Sequence, residues 1–168
     1  MKNIFLFSLI LTLVACNNAE RKFKKNFEAM FSSDTSLLRK INLGDSYEAV
    51  LKAEPHENLI TQDENMIKTL YRFNENEEYQ FSFFFTDNRL VDVRAEVYLP
   101  ETADGKLFNE WITEMLTKKY DFLGESHGTK RWKKNKISVE LNDETELEAA
   151  RKATIWYFET PASEERNF

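Results

Sequence analysis

The side chains suited to covalent or acid–base chemistry are few. The 168 residues include one cysteine, Cys16, and two histidines, His56 and His127. Neither histidine has a second His or Cys at ligand spacing, so a zinc site lacks its usual nitrogen and sulfur donors. His56 follows Pro55 and His127 stands in GESHG, and both read as loop positions. A Ser–His–Asp triad assembles only in space, and no GxSxG, HExxH or phosphate-cradling glycine loop occurs. Acids cluster at Glu75, Glu77 and Glu78, and again at Asp143, Glu144, Glu146 and Glu148. Glycoside hydrolysis needs two carboxyl groups about 5 to 9 Å apart, which no spacing here imposes. NDETELE lacks the glycine and the alternation of a calcium-binding loop. Dense like charge normally stays in water, so both clusters read as solvated loops. The expectation is no catalytic residue, no metal site and no cofactor.

Cys16 stands in a different setting. The opening MKNIFLFSLILTLVACNN puts Lys2 before an apolar run, Ile4 to Val14, interrupted only by Ser8 and Thr12. That run is too short to span a bilayer, which takes ~20 residues, but it has the length of a signal-peptide hydrophobic segment. Leu13-Val14-Ala15-Cys16 resembles the lipobox of bacterial lipoproteins. The resemblance implies diacylglyceryl transfer to the Cys16 thiol, cleavage after Ala15 and acylation, palmitate-like, of the new amino group. Each buried methylene adds ~0.8 kcal/mol, so several acyl chains anchor firmly where one does not. The alternative is an ordinary secretory signal with an incidental cysteine. Acylation leaves no thiol for a disulfide, a metal or nucleophilic attack. The core alone must then hold the mature chain, and a domain of ~150 residues buries ~70% of its unfolded surface.

Composition narrows the partner. Lys and Arg number 23 against 29 Asp and Glu, and removal of Lys2 with the leader leaves a net charge of −7. Nucleic acid favours a basic surface, so it is not the expected partner. Fourteen Phe, six Tyr and three Trp, with only four Gly and three Pro, describe a packed body rather than a disordered one.

The elements that must position any site follow from periodicity. In AERKFKKNFEAMF, Phe23, Phe27, Met30 and Phe31 share a helical face, with Arg21, Lys22, Lys24 and Lys25 around it. Either the phenylalanines dock on the domain, or this basic amphipathic segment rests on anionic headgroups. In INLGDSYEAVLKAEP, Asp45 is placed to cap a helix with Glu48 three residues on. Tyr47, Val50 and Leu51 form its apolar face, Pro55 stops it and Gly44 suits the sharp approach. Strands are expected at 66–73, 79–85 and 90–99, the second and third alternating between two faces. After Pro100, Asp104 is placed to cap a helix carrying Leu107, Phe108, Trp111, Ile112, Met115 and Leu116, ending near 120–124. A hairpin at 129–141 with a Lys134-Asn135 turn and a last strand at 153–160 follow. There Ile155 and Tyr157 alternate with Trp156 and Phe158, as if both faces were covered.

The expected fold is α+β, with helices packed on an antiparallel sheet and a helix-then-three-strands unit repeated twice. Residues 1–15 form the cleaved leader, 16–40 a lipidated tether and amphipathic helix, 41–160 one domain with halves at 41–100 and 101–160, and 161–168 a tail. Register is argued from burial, since a slip of one residue turns every side chain over. A two-residue Asp87-Asn88 turn would set Phe83 opposite Asp92, so a three-residue loop, 86–88, with Asn88 left-handed is expected, which sets Phe83 opposite Val91 and Phe81 opposite Val93. A five-residue loop, 74–78, sets Tyr71 opposite Phe81, and the Lys134-Asn135 turn sets Trp132 beside Ile137.

Ile41-Asn42-Leu43-Gly44-Asp45-Ser46, Val50-Leu51, Pro55 and the Phe83–Val93 hairpin together resemble a recurrent pattern. It is that of the small outer-membrane lipoprotein of the β-barrel assembly machinery and, more broadly, of β-lactamase-inhibitor-protein-like folds. The resemblance covers about residues 40 to 98, and it implies a scaffold or protein-binding module rather than an enzyme. Ala53-Glu54 departs from the pattern, in which a glycine often precedes the proline.

Two surfaces are candidates for contact. Phe84, Arg94 and Tyr98 fall opposite the core face and suit a protein interface, rich as such interfaces are in aromatics and arginine. The run Lys130, Arg131, Trp132, Lys133 and Lys134 either touches an anionic surface or protects an edge hairpin from aggregation. The expected function is that of a lipid-anchored, non-enzymatic cell-envelope scaffold or protein-binding module. Its partners are membrane lipid, through acylated Cys16, and another envelope protein. The alternative is an inhibitor or immunity-type module against an envelope or secreted enzyme, and an envelope hydrolase is third. By resemblance to bacterial lipoproteins, in which an aspartate after the anchor retains the protein at the inner membrane, Asn17 implies the outer membrane.

Overall fold

Alternating apolar residues in eight segments build one antiparallel sheet. The computed structural model describes residues 20–31, 36–99, 102–145 and 151–160. The leader, Cys16, Ala15 and the tail at 161–168 lie outside the described residues. Helix α1 spans 20–31, α2 spans Tyr47–Ala53 and α3 spans Thr102–Lys119, with a 3-10 turn at His56–Asn58. The strands are β1 (Leu59–Gln62), β2 (Met66–Arg72), β3 (Glu78–Thr86), β4 (Arg89–Tyr98), β5 (Asp121–Ser126), β6 (Thr129–Lys134), β7 (Ile137–Glu144) and β8 (Lys152–Glu159). Their order across the sheet is β1-β2-β3-β4-β8-β7-β6-β5. Two four-stranded meanders therefore meet where β4 pairs with β8, leaving β1 and β5 at the edges. The class is α+β, as expected.

One face of this sheet is the core. Ile67, Tyr79, Phe81, Phe83, Val93, Ala95, Val97, Ile155, Tyr157, Val139 and Trp132 are all buried on it. The helices cover that face. Phe27 and Phe31 of α1 lie 5.6 and 5.7 Å from Phe108 of α3, and Phe31 reaches Tyr79 and Phe81 in β3. The phenylalanines of α1 thus dock on the domain, and its basic residues stay exposed. Burying several such rings, at roughly 1.5–3 kcal/mol each, is what fastens the helix.

Each half holds four strands rather than three. Leu59–Gln62 pairs with β2 as an extra edge strand, and Asp121–Ser126 forms β5, where the helical pattern was expected to run on. Both additions are short and bulged, between Leu59 and Thr61 and between Phe122 and Gly124. A bulge interrupts the two-residue period by which strands are recognised. The caps shift as well. Ser46 caps α2 by accepting from the Ala49 N–H at 3.2 Å, while Asp45 accepts from the Asn42 N–H at 2.7 Å. Asp104 lies in the first turn of α3, which starts earlier than expected.

Registers move by two residues and keep the expected faces, except that Leu90 takes the core place expected for Val91. Phe83 faces Val93 and Phe81 faces Ala95, across a two-residue turn in which Asp87 and Asn88 are both left-handed. An irregularity between Phe84 and Phe85 then restores the apolar face. Tyr71 faces Tyr79, because Asn74 Oδ1 accepts from the Asn76 and Glu77 N–H groups and tightens the loop. Trp132 faces Val139 across a turn at Asn135 and Lys136.

Polar ties lock the layers. The Glu54 carboxylate is fully buried and pairs with Arg39, while the Tyr71 hydroxyl donates to its other oxygen at 2.7 Å. The Arg39 guanidinium lies 4.7 Å from the ring centres of both Tyr71 and Phe81. Glu54, the departure from the resembled pattern, is therefore an internal ion pair. Burial is the chief cause that pushes the Tyr71 hydroxyl well above its ordinary range.

Candidate protein-interaction face

The second face of the sheet has no helix over it among the described residues. Its side chains form rows across the strands. One runs Ser82, Arg94, Trp156, Glu140 and Arg131, and the next runs Phe84, Asp92, Phe158 and Ser138. Gln80, Glu96, Thr154 and Asn142 make a third, and Glu78, Tyr98, Lys152 and Glu144 a fourth. Antiparallel pairing sets such neighbours about 5 Å apart, close enough for each to fix the next.

Trp156 is the centre. Its indole N–H donates to Asp92, the Arg94 guanidinium lies 4.9 Å from its ring centre, and Phe158 lies 5.5 Å away. Partial burial raises the Asp92 carboxyl above its usual range, against the pull of the Trp156 N–H and Arg94. Burial likewise raises Tyr98, with Glu96 adding to it. Glu96 accepts from Gln80 at 2.7 Å and from Lys152 at 3.2 Å, and Arg131 pairs with Glu140 at 2.8 Å. Arg94, Glu96, Glu140, Glu144, Lys152 and Trp156 line an open hollow of about 360 Å³. The result is a surface of aromatic rings and hydrogen-bonded charges, which is suited to recognition.

Phe84, Arg94 and Tyr98 share this face, as their alternation predicts, with Phe84 opposite Asp92 at one end, Tyr98 opposite Glu78 at the other, and Tyr98 36% exposed. Sequence reasoning missed Trp156, Phe158 and Asp92. The signal was the alternation in β8: Ile155 and Tyr157 take the core side, so Trp156 and Phe158 must take the other.

The run 130–134 does not form one surface. Trp132 is fully buried and donates its indole N–H to Thr117 at 3.1 Å. Lys130 turns to α3, donating to Asn109 at 3.0 Å and Thr113 at 3.3 Å, while Arg131 belongs to the open face. β6 is not an edge, because β5 pairs along it. Alternation in a strand divides neighbours between two faces.

Neither histidine stands in a protected site. His56 is exposed, and His127 is left-handed at the exposed β5–β6 tip with Nδ1 2.9 Å from Ser126 Oγ. Among the described residues no three His, Cys, Asp or Glu side chains converge as metal ligands would. The expected solvated acidic loops are partly structural: Glu77 is buried, Glu78 belongs to β3, and Asp143 and Glu144 belong to β7. Glu146 and Glu148 lie outside the described residues.

No helix among the described residues is long and apolar enough to cross a membrane. Comparison of the chain with protein-family models, curated proteins and solved structures finds no match in any of the three.

Proposed function

We propose that this protein is a lipid-anchored, non-enzymatic component of a bacterial cell envelope, at the outer membrane, which binds another envelope protein through its open sheet face. The observation that carries this reading is that face, which no helix among the described residues covers, with Trp156, Phe158 and Phe84 close to Arg94 and Asp92, and Tyr98 farther along β4. Aromatic and arginine side chains dominate the energetics of protein interfaces, and pre-positioned ones lose little entropy on binding. The lipobox-like Leu13–Cys16 supports the anchor. The two helix-led meanders support a reading of the halves as tandem units. An inhibitor acting on an envelope enzyme would use the same face and differs in what it captures.

Site-specific photocrosslinkers at Phe158 and at Glu110, on the exposed side of α3, test the reading in intact cells. Crosslinks to one envelope protein are expected from Phe158, lost on Arg94→Glu, and absent from Glu110. Equal crosslinking from both positions overturns it, and an enzyme recovered from Phe158 selects the inhibitor. Fatty-acid labelling tests the anchor separately: Cys16→Ser should abolish uptake.

A further inference from the structure

We infer that the helix layer, on the opposite side of the sheet from the proposed docking face, rests on an anionic lipid bilayer. The chain as a whole is acidic, with 29 acidic against 23 basic residues, yet α1 reverses that balance. Arg21, Lys22, Lys24 and Lys25 are all exposed, and only Glu20 and Glu28 oppose them within the helix. The apolar residues Phe23, Phe27, Met30 and Phe31 are consumed by the core, so α1 has no greasy side to insert. Contact with the bilayer is electrostatic.

Beyond α1 the helix layer carries further lysines, mixed with acids along α3 and gathered without described acids only at its end. Lys24 and Lys118 line one groove between α1 and α3, with Glu28 and Glu114 also on its walls and Lys118 paired to Glu114 at 2.6 Å. Lys118 also lines a cavity of about 400 Å³ at the end of α3, together with Lys119, Lys134, Asn42 and Asn135. No carboxylate contributes to the lining described for that cavity. Lys134, beside a Lys118 paired to Glu114 and a Lys119 bonded to the Ser36 carbonyl at 3.4 Å, gives this hollow a positive rim that suits a headgroup phosphate.

The length of chain supports the same occupant. This step rests on the reading of Cys16 as the lipid-bearing residue. Three residues separate Cys16 from Glu20, so the start of α1 lies within about 14 Å of the anchored residue, at ~3.3–3.6 Å per residue. Juxtamembrane basic residues are each attracted by ~1 kcal/mol, about fivefold in partitioning, to an anionic surface. Helices against the bilayer would turn the Trp156 face outward, toward a protein partner.

Amine labelling read by mass spectrometry tests this on the whole protein purified from membranes. The protein is reconstituted in nanodiscs of phosphatidylcholine alone or with phosphatidylglycerol. Labelling of Lys24, Lys25 and Lys118 should slow several-fold with phosphatidylglycerol and recover in about 0.5 M salt, which screens charge beyond a few ångström. Lys68 and Lys152, on the open face, should not change. In an Arg21→Gln, Lys22→Gln, Lys24→Gln and Lys25→Gln variant, protection of Lys118 should be lost. Equal rates in both bilayers, or slowing at Lys68 and Lys152 instead, overturns the inference. The same spectra show whether Cys16 carries acyl chains. Should they be absent, phosphatidylglycerol vesicles added to that protein either slow the α1 lysines, and the surface stands without the anchor, or leave them unchanged, and it falls.

Discussion

Asn26 in α1 donates its side-chain amide to both carboxylate oxygens of Glu77, at 3.1 Å each and 51 residues along the chain. Asn74 donates to the same carboxylate at 3.0 Å, and the Tyr79 hydroxyl donates to it at 3.3 Å. One buried acid thus gathers the first helix, the β2–β3 loop and a central strand. Every partner is a neutral donor. Such bonds hold the carboxylate in place but offset its lost hydration only in part.

That geometry makes stability depend on pH. Burial is the largest influence on Glu77 and raises its carboxyl above the ordinary 4.5, with Asp104 adding to the shift and the Asn26 and Tyr79 bonds and Lys22 opposing it. The folded state then holds this proton more tightly than the unfolded chain does. Its contribution to stability is complete below the ordinary value and is lost as pH rises through the raised one. Asp92 shifts in the same direction. Urea unfolding between about pH 4 and 7 should show stability declining in this window, less steeply in Glu77→Gln and with the residue of the slope removed by Asp92→Asn. An unchanged slope in both variants would contradict the assignment.

Gly105 in α3 lies tight against Thr145, just past the end of β7. A methyl group there would lie 2.5 Å from Thr145 Cβ and 2.6 Å from its Oγ1. Alanine normally strengthens a helix by ~1 kcal/mol over glycine, whereas overpacking costs roughly 1–3 kcal/mol. Gly105→Ala should therefore destabilise, by about 1 kcal/mol net. Thr145→Gly in the same chain should recover that loss, read as a coupling energy in a double-mutant cycle. Additive effects would show that the contact is not the cause.

Trp132 and Lys134 are two residues apart and should behave as opposites. Trp132 is fully buried, and truncating such a side chain costs ~3–5 kcal/mol. Trp132→Ala should lower the unfolding midpoint severely. Lys134 is exposed, and substitutions at such positions usually fall within ~0.5 kcal/mol. A mild Trp132→Ala would return that residue to the surface, as the basic run first suggests.

Hydrophobic periodicity determined much of this molecule: its α+β class, the positions of α2, α3 and most strands, and which side chains of each strand point inward. It did not determine register. In three hairpins the pairing lies two residues from the expected one, with the faces preserved except at the start of β4, where Leu90 rather than Val91 enters the core. A shift of one residue exposes the core and is legible in the pattern, but a shift of two leaves each side chain on its own face. Contacts far along the chain settle the difference. Gly44 and Asp45 bond to Leu90, and Asn88 accepts from the Tyr47 N–H, fixing the β3–β4 turn beside α2.

The candidate site divides the same way. Alternation placed Phe84, Arg94 and Tyr98 opposite the core, because a strand has only two sides. That Trp156 joins them is decided by β8 inserting between β4 and β7, and by α1 and α3 both covering the other face. A sequence states which residues avoid water; which neighbours supply the cover depends on where distant segments settle.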